Sequence, residues 1–267
     1  MTNTQTPERS ELPSLKRYAA TINIPGYLPM ADELAFESAT DAWSYLASER
    51  ERAEDDTDET GEYSVTVGTL LALANGRALP EGASCMVDDD HIGSVYGDTP
   101  GYDGSHDLGL TYSVTVALDL SAYADDVVKG YAVAMLWANA VCDVEDCEDR
   151  EAGSDCEHVN HAHGTYSMDD FSPEDQHRLR ADCYAMMMST DDEEQDGQDF
   201  LAYCDARPIL GRRAASHFGH DFALTRNHHG AGYWDRGLGA LGDRLTANAH
   251  PFGESSVYVT EDGVSLS

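Results

Sequence analysis

The sequence predicts an α+β protein built from two small modules in tandem. The first reads strand-helix-helix-strands, and the second is mainly helical with a C-terminal β-hairpin. Three observations predict this. Alternating β-branched runs bracket two helical patterns before residue 120; long apolar stretches with helical spacing dominate afterwards; and no internal repeat is visible.

Residues 1–13 are polar and acidic and read as a flexible tail without the apolar core of a signal peptide. Arg17–Ile24 alternates and reads as a strand, ended by Pro25-Gly26. Ala39–Ala53 reads as a helix with Ala42, Trp43, Leu46 and Ala47 on one face and Glu49–Arg52 near its exposed end. Glu54–Glu62 is a solvated acidic linker. Tyr63–Ala74 places Val67, Leu70, Leu71 and Ala74 at helical spacing, and Asn75-Gly76 stops it. Cys85–Val87 and His91–Tyr96 are short strands, Gly97–Asp107 a loop rich in Gly, Asp and Pro, and Leu110–Leu118 the clearest strand. The first module therefore spans 14–120, with a joint at Asp119–Asp126.

In the second module, 121–267, Val127–Val141 reads as a buried helix and Cys142–Asp170 as an acidic insertion rich in Cys and His. Ser172 caps a helix that opens on Pro173, Glu174 and Asp175 and runs to about Met188. Ser189–Gln198 is another solvated run. Asp199–Thr225 is helical with a break at Pro208 or Gly211. Gly237–Ala249 is the last helix, and Ser256–Thr260 and Val264–Leu266 form the hairpin.

Composition narrows the function. The chain has 267 residues, 41% of them hydrophobic, enough for a buried core. No run approaches the roughly 20 apolar residues that span a bilayer, so a cytoplasmic protein without membrane contact is expected. Fifty acids against 16 bases give a net charge of −34. The excess is global: 22 acids and 6 bases precede residue 121, and 28 acids and 10 bases follow it. Such a field repels nucleic-acid phosphates and attracts basic protein surfaces, so direct nucleic-acid binding is not expected. Genome bias, salt adaptation and mimicry of DNA are the three readings of this acidity.

Six cysteines in such a chain read as reduced thiols or metal ligands. Cys142, Cys147, Cys156, His158, His161 and His163 lie within 22 residues. They read either as a structural zinc site or as a surface insertion with incidental Cys and His; the spacing lacks the tight C-x2-C pairs of standard fingers. Asp98, Asp103 and Asp107 could hold Ca²⁺, but the spacing is not that of an EF-hand, and a turn-rich loop is the simpler reading.

Asp221–Gly239 is the one stretch where the chain becomes locally aromatic and basic. It places Arg226, Asn227, His228, His229, Trp234, Asp235 and Arg236 among four glycines. These residues read as a turn, in which Gly230 and Gly232 end a helix, Tyr233 and Trp234 cap the core and Asp235 pairs with Arg226 or Arg236. They read alternatively as a binding surface, or as a catalytic loop in which His217 and Asp221 form a base and its orienter. No nucleophile or metal triad has a recognised spacing here.

The stretch DFALTRNHHGAGYWDRGLG resembles the DFWLTRNGHGAGFWDRGLG signature of a family of uncharacterised actinobacteriophage and actinobacterial accessory proteins. YAVAMLWAN resembles the start of the same module. GYLPMADELAFESATDAWSYLASERERAEDD, followed by VYGDTPGYDGSHDLGLTYSVTV, resembles a second module of these organisms over roughly residues 16–118. The resemblance implies a bacteriophage or mobile-element accessory protein and assigns no reaction. With the charge, it sets the expectation of a non-enzymatic protein that binds a host protein with a basic or DNA-binding surface, as a DNA mimic in counter-defence or host takeover. The alternative is a small enzyme or ligand-binding protein using the Arg226–Arg236 loop.

Overall fold

The structure, a computed structural model, describes residues 11–23, 35–56, 65–77, 85–86, 91–99, 108–138, 140–142, 159–189, 196–260 and 263–267. The chain is α+β and divides into two compact units. One is Lys16–Asp119; the other is Leu120–Ser267 grouped with the chain up to Leu15.

In the first unit, β1 (Lys16–Asn23), β2 (Ala35–Phe36), β3 (Cys85–Met86), β4 (His91–Thr99) and β5 (Leu108–Asp119) form an antiparallel sheet in the order β2-β1-β5-β4-β3. Ala20 pairs with Val114 and Ile22 with Tyr112 across β1 and β5. This register sets Ala20, Tyr112 and Val114 in one core with helix α1 (Ala39–Asp56) and helix α2 (Val67–Ala74). Ser38 caps α1: its Oγ accepts from the Asp41 amide at 3.1 Å. The expected face Ala42, Trp43, Leu46 and Ala47 is buried.

Three expectations need correction in this unit. Leu71 is 42% exposed, because α2 turns Leu70 and Ala74 inward instead. Arg50, expected near an exposed end, is buried, and its Nε donates to the Val65 carbonyl at 3.1 Å, tying the end of α1 to the approach to α2. Gly97–Thr99, read as loop, continues β4 opposite Leu108–Leu110. The rest of that loop, including Asp103 and Asp107, lies outside the described residues.

The second unit is built on α3 (Ala124–Ala138) and α6 (Arg213–Arg226). Between them the chain forms a short β6–β7 ladder (Ala140–Cys142 with Val159–His161), α4 (Pro173–Met188) and α5 (Gln198–Asp205). Ala140 and Val141, expected at the end of a helix, are therefore strand. Ser172 caps α4 as its sequence predicts, its Oγ accepting from the Asp175 amide at 3.1 Å. A 3₁₀ turn at Pro208–Leu210 and Gly211 at φ +52° separate α5 from α6, at the predicted break. Helix α7 (Ala240–Ala249) and the β8–β9 hairpin (Val257–Thr260, Gly263–Leu266) complete the unit.

Helices α3 and α6 cross with backbone against backbone. A Cβ on Gly130 would lie 1.8 Å from the Ser216 carbonyl oxygen, and one on Gly219 would lie 1.9 Å from that of Val127. Both glycines are mid-helix, where alanine would otherwise be favoured by about 1 kcal/mol. Ala134, Ala215 and Ala223, each one turn from these glycines, are small and buried. Gly219→Ala should therefore destabilise by about 3 kcal/mol, reversing the sign that helix propensity gives. Equilibrium urea denaturation checks this; a neutral or stabilised variant would mean that the helices can separate without loss.

Candidate functional site

The Asp221–Gly239 stretch folds as the C-terminal half of α6 followed by a tight turn. Two charged residues of α6 that the sequence leaves open as site groups are interior hubs. Asp221 is fully buried. It accepts from Tyr203 Oη at 2.7 Å, Arg207 Nη1 at 3.2 Å and Arg236 Nε at 2.8 Å, with a second bond from Arg236 Nη2. His220 Nδ1 lies 3.5 Å from its Oδ1. Burial alone would raise the Asp221 carboxyl, but the bonds from His220, Arg236 and Tyr203 outweigh it and hold the group below the ordinary 3.8.

Arg226 is the cationic counterpart, 5% exposed. Its Nη1 donates to Tyr131 Oη and to Asp182 Oδ2, each at 2.6 Å, and its Nε and Nη2 donate to the Gly253 and Phe252 carbonyls at 2.7 Å. The guanidinium also lies 5.7 Å from the Phe222 ring centroid and 5.9 Å from that of Phe252. One side chain thus joins α3, α4, α6 and the turn that follows α7. Asn227 continues the join: its Oδ1 accepts from the Ser255 amide at 2.8 Å, and its Nδ2 lies 3.2 Å from the Met135 sulfur.

The helix ends two residues earlier than Gly230 would place it. The His228 amide donates to the Thr225 carbonyl and the His229 amide to that of Leu224, the paired bonds of a Schellman end. The left-handed residue is His228 itself, at φ +52°. It carries a Cβ where glycine is the relaxed choice.

The turn reading survives with different partners. Tyr233 is buried and donates to the Phe218 carbonyl, but Trp234 is 44% exposed and does not cap the core. Asp235 is exposed, and the pairings expected of it are made by Asp182 with Arg226 and Asp221 with Arg236. The His217–Asp221 dyad does not form either: the imidazole that reaches Asp221 is His220. Burial pushes His217 below 6.5, with Asp221 opposing the shift and Arg207 adding to it.

Among the seven residues singled out in the loop, Arg226 and Asn227 point into the interior, and His228, His229, Trp234 and Asp235 are exposed. Arg236 is half-buried and reaches a concavity. It lines an open groove of about 360 Å³ with Val133, Trp137, His220, Leu224, Gly230 and Ala231. Val133, Trp137 and His220 were not picked out as groove residues from sequence. The Trp137 signal, an indole at the end of a buried helix, is legible only once α3 is placed beside α6.

Cys183 and Cys204 are raised by burial, Cys204 to about 11, so neither is a thiolate nucleophile near neutral pH. Of the Cys/His cluster, the backbone places Cys142 and His161 on the paired strands β6 and β7, and His163 in the 3₁₀ turn that follows. Cys147, Cys156 and His158 lie outside the described residues. Among the described residues, no group of three or more His, Cys, Asp or Glu is arranged to hold a metal, and no helix is long and apolar enough to cross a membrane.

Comparison with protein-family models, curated proteins and solved structures returns no match.

Two outcomes test the structural assignment. Asp221→Asn leaves two guanidiniums facing a neutral amide and should cost about 3–5 kcal/mol. Because the folded carboxyl is held below its ordinary value, its pairing stabilises the fold above that value and is lost as pH falls through the folded one. Protonation of surface carboxylates relieves repulsion and acts oppositely, so the readout is the difference in unfolding free energy between the parent and Asp221→Asn. That difference should shrink on going from about pH 5 to pH 2; a constant difference contradicts the assignment. His228→Gly should stabilise by less than about 1 kcal/mol in thermal denaturation, since the relief of backbone strain is partly offset by loss of the ring contact with His250, centroids 4.7 Å apart.

Proposed function

We propose that this protein is a non-enzymatic acidic accessory protein, of bacteriophage or mobile-element type, that binds a host protein through that partner's basic surface. In its sharpest form it presents carboxylates in place of DNA phosphates to a DNA-binding protein, as a counter-defence or host-takeover factor.

One observation carries this reading: the way the fold uses its cations. Lys16, Arg17, Arg52, Arg178, Arg180, Arg207, Arg226, Arg236 and Arg244 are all held in ion pairs. Arg226 is buried, and Arg207 and Arg236 are turned toward the buried Asp221. With 50 acids against 16 bases, the acids outnumber the bases by 34 however the bases are paired. A surface of that kind steers a cationic partner toward itself and keeps nucleic acid away. Against catalysis by the Arg226–Arg236 loop, or by Asp221 on the helix before it, stands the use of these charges: Arg226 and Asp221 are engaged by several internal bonds each.

The test is capture by the tagged full chain from nuclease-treated actinobacterial lysate across a salt series. The expected result is one basic, DNA-binding protein retained at low salt, released by about 0.3–0.5 M salt and displaced by duplex DNA. Retention of nothing at low salt, or of a partner indifferent to salt and DNA, would overturn the proposal.

A further inference from the structure

We infer that His228 and His250 form a binding site for a divalent transition-metal ion of the class that prefers imidazole nitrogen: Zn²⁺, Ni²⁺ or Cu²⁺.

The two rings come from the ends of two helices. His228 follows the end of α6, and His250 follows the end of α7. Their ring centroids lie 4.7 Å apart, with the planes tilted by 41°. Two imidazoles that each place a nitrogen about 2.0–2.1 Å from one zinc ion have centroids about 5 Å apart. Both side chains are exposed, so small ring rotations supply the difference, and an ion has an open approach. Two protein ligands leave the ion's other positions to water.

The backbone on either side of the pair is fixed before an ion arrives. Arg226 and Asn227 immediately precede His228, and they hold the chain that follows His250. Arg226 Nη2 and Nε donate to the Phe252 and Gly253 carbonyls at 2.7 Å, and Asn227 Oδ1 accepts from the Ser255 amide at 2.8 Å. The His228 amide donates to the Thr225 carbonyl at 3.1 Å, and the His250 carbonyl accepts from the Gly253 amide at 3.0 Å. Binding then orders two side chains and no backbone, which lowers its cost.

Packing and hydrogen bonding do not account for the pair. Both residues are exposed, and among the described residues neither imidazole makes a hydrogen bond or an ion pair. His228 also sits at φ +52°, where glycine is the relaxed residue. Strained non-glycine residues concentrate where a side chain serves a ligand. The charge of Arg226, two residues before His228, is met by Asp182 at 2.6 Å. A net charge of −34 raises the concentration of divalent cations around the chain.

The test titrates the full chain with Ni²⁺ by calorimetry and follows the imidazole C–H signals in ¹H–¹³C spectra, with Mg²⁺ as the oxygen-preferring control. The parent is compared with His228→Gly, His250→Gln and His229→Gln, all changes at exposed positions. In the parent the His228 and His250 signals should broaden together and saturate, and Mg²⁺ should move neither. His228→Gly and His250→Gln should each weaken this binding at least about tenfold, and His229→Gln should not. Melting gives a second readout. In chelator, His228→Gly should melt slightly above the parent; in saturating Ni²⁺ the order should reverse, because the parent gains more from binding. Unchanged affinity in both variants would place the ion elsewhere, on the Cys/His-rich segment 142–163 for example, and overturn the proposal. Unmoved His228 and His250 signals, or a melting order that Ni²⁺ leaves as it was, would overturn it as well. The titration needs no protein partner, so its outcome is independent of capture from lysate.

Discussion

The larger unit depends on the contact between α3 and α6, where two helix backbones meet with no side chain between them. Gly130 faces the Ser216 carbonyl and Gly219 faces that of Val127. This approach sets where everything else on α6 falls. It brings Arg226 under Tyr131 and leaves Phe218 and Phe222 free to stack with Phe200, Tyr203, Tyr131 and Phe252. A bulkier seam would move all of these together.

Electrostatics then divide by location. Buried carboxylates and guanidiniums are costly unless fully bonded, and the interior solves this by giving Asp221 and Arg226 several partners each. Asp199 receives the same treatment from Arg244, whose Nη2 lies 2.6 Å from Oδ1. Cations are drawn inward and sideways by these pairs, in a chain that has only 16 of them. The carboxylates that outnumber those 16 bases are the other side of the same distribution.

Much of the fold is legible in the sequence because its signals are local. Ser172-Pro173 marks a helix start, Pro208 and Gly211 mark a break, and the alternation of residues 17–24 marks a strand. What escapes reading is non-local. Arg226 and Asp182 are 44 residues apart, and Arg226 and Tyr131 are 95 apart, so nothing in the motif identifies its partners. A basic, aromatic, Gly-rich motif looks like a site whether its charges point outward or inward. The seam glycines had a readable signal, since Gly130 and Gly219 sit inside helical patterns where glycine is disfavoured. The helix end was misplaced onto Gly230 because a histidine holds the left-handed position.

Arg226, the buried charge of the motif, holds the fold together and does not serve a ligand. Equilibrium denaturation of Arg226→Met tests it most directly. The expected loss is about 3–5 kcal/mol, since Asp182, Tyr131 and two carbonyls lose a shared donor in a buried setting. Unchanged stability, with any defect confined to binding, would contradict it and return Arg226 to the surface of a functional site.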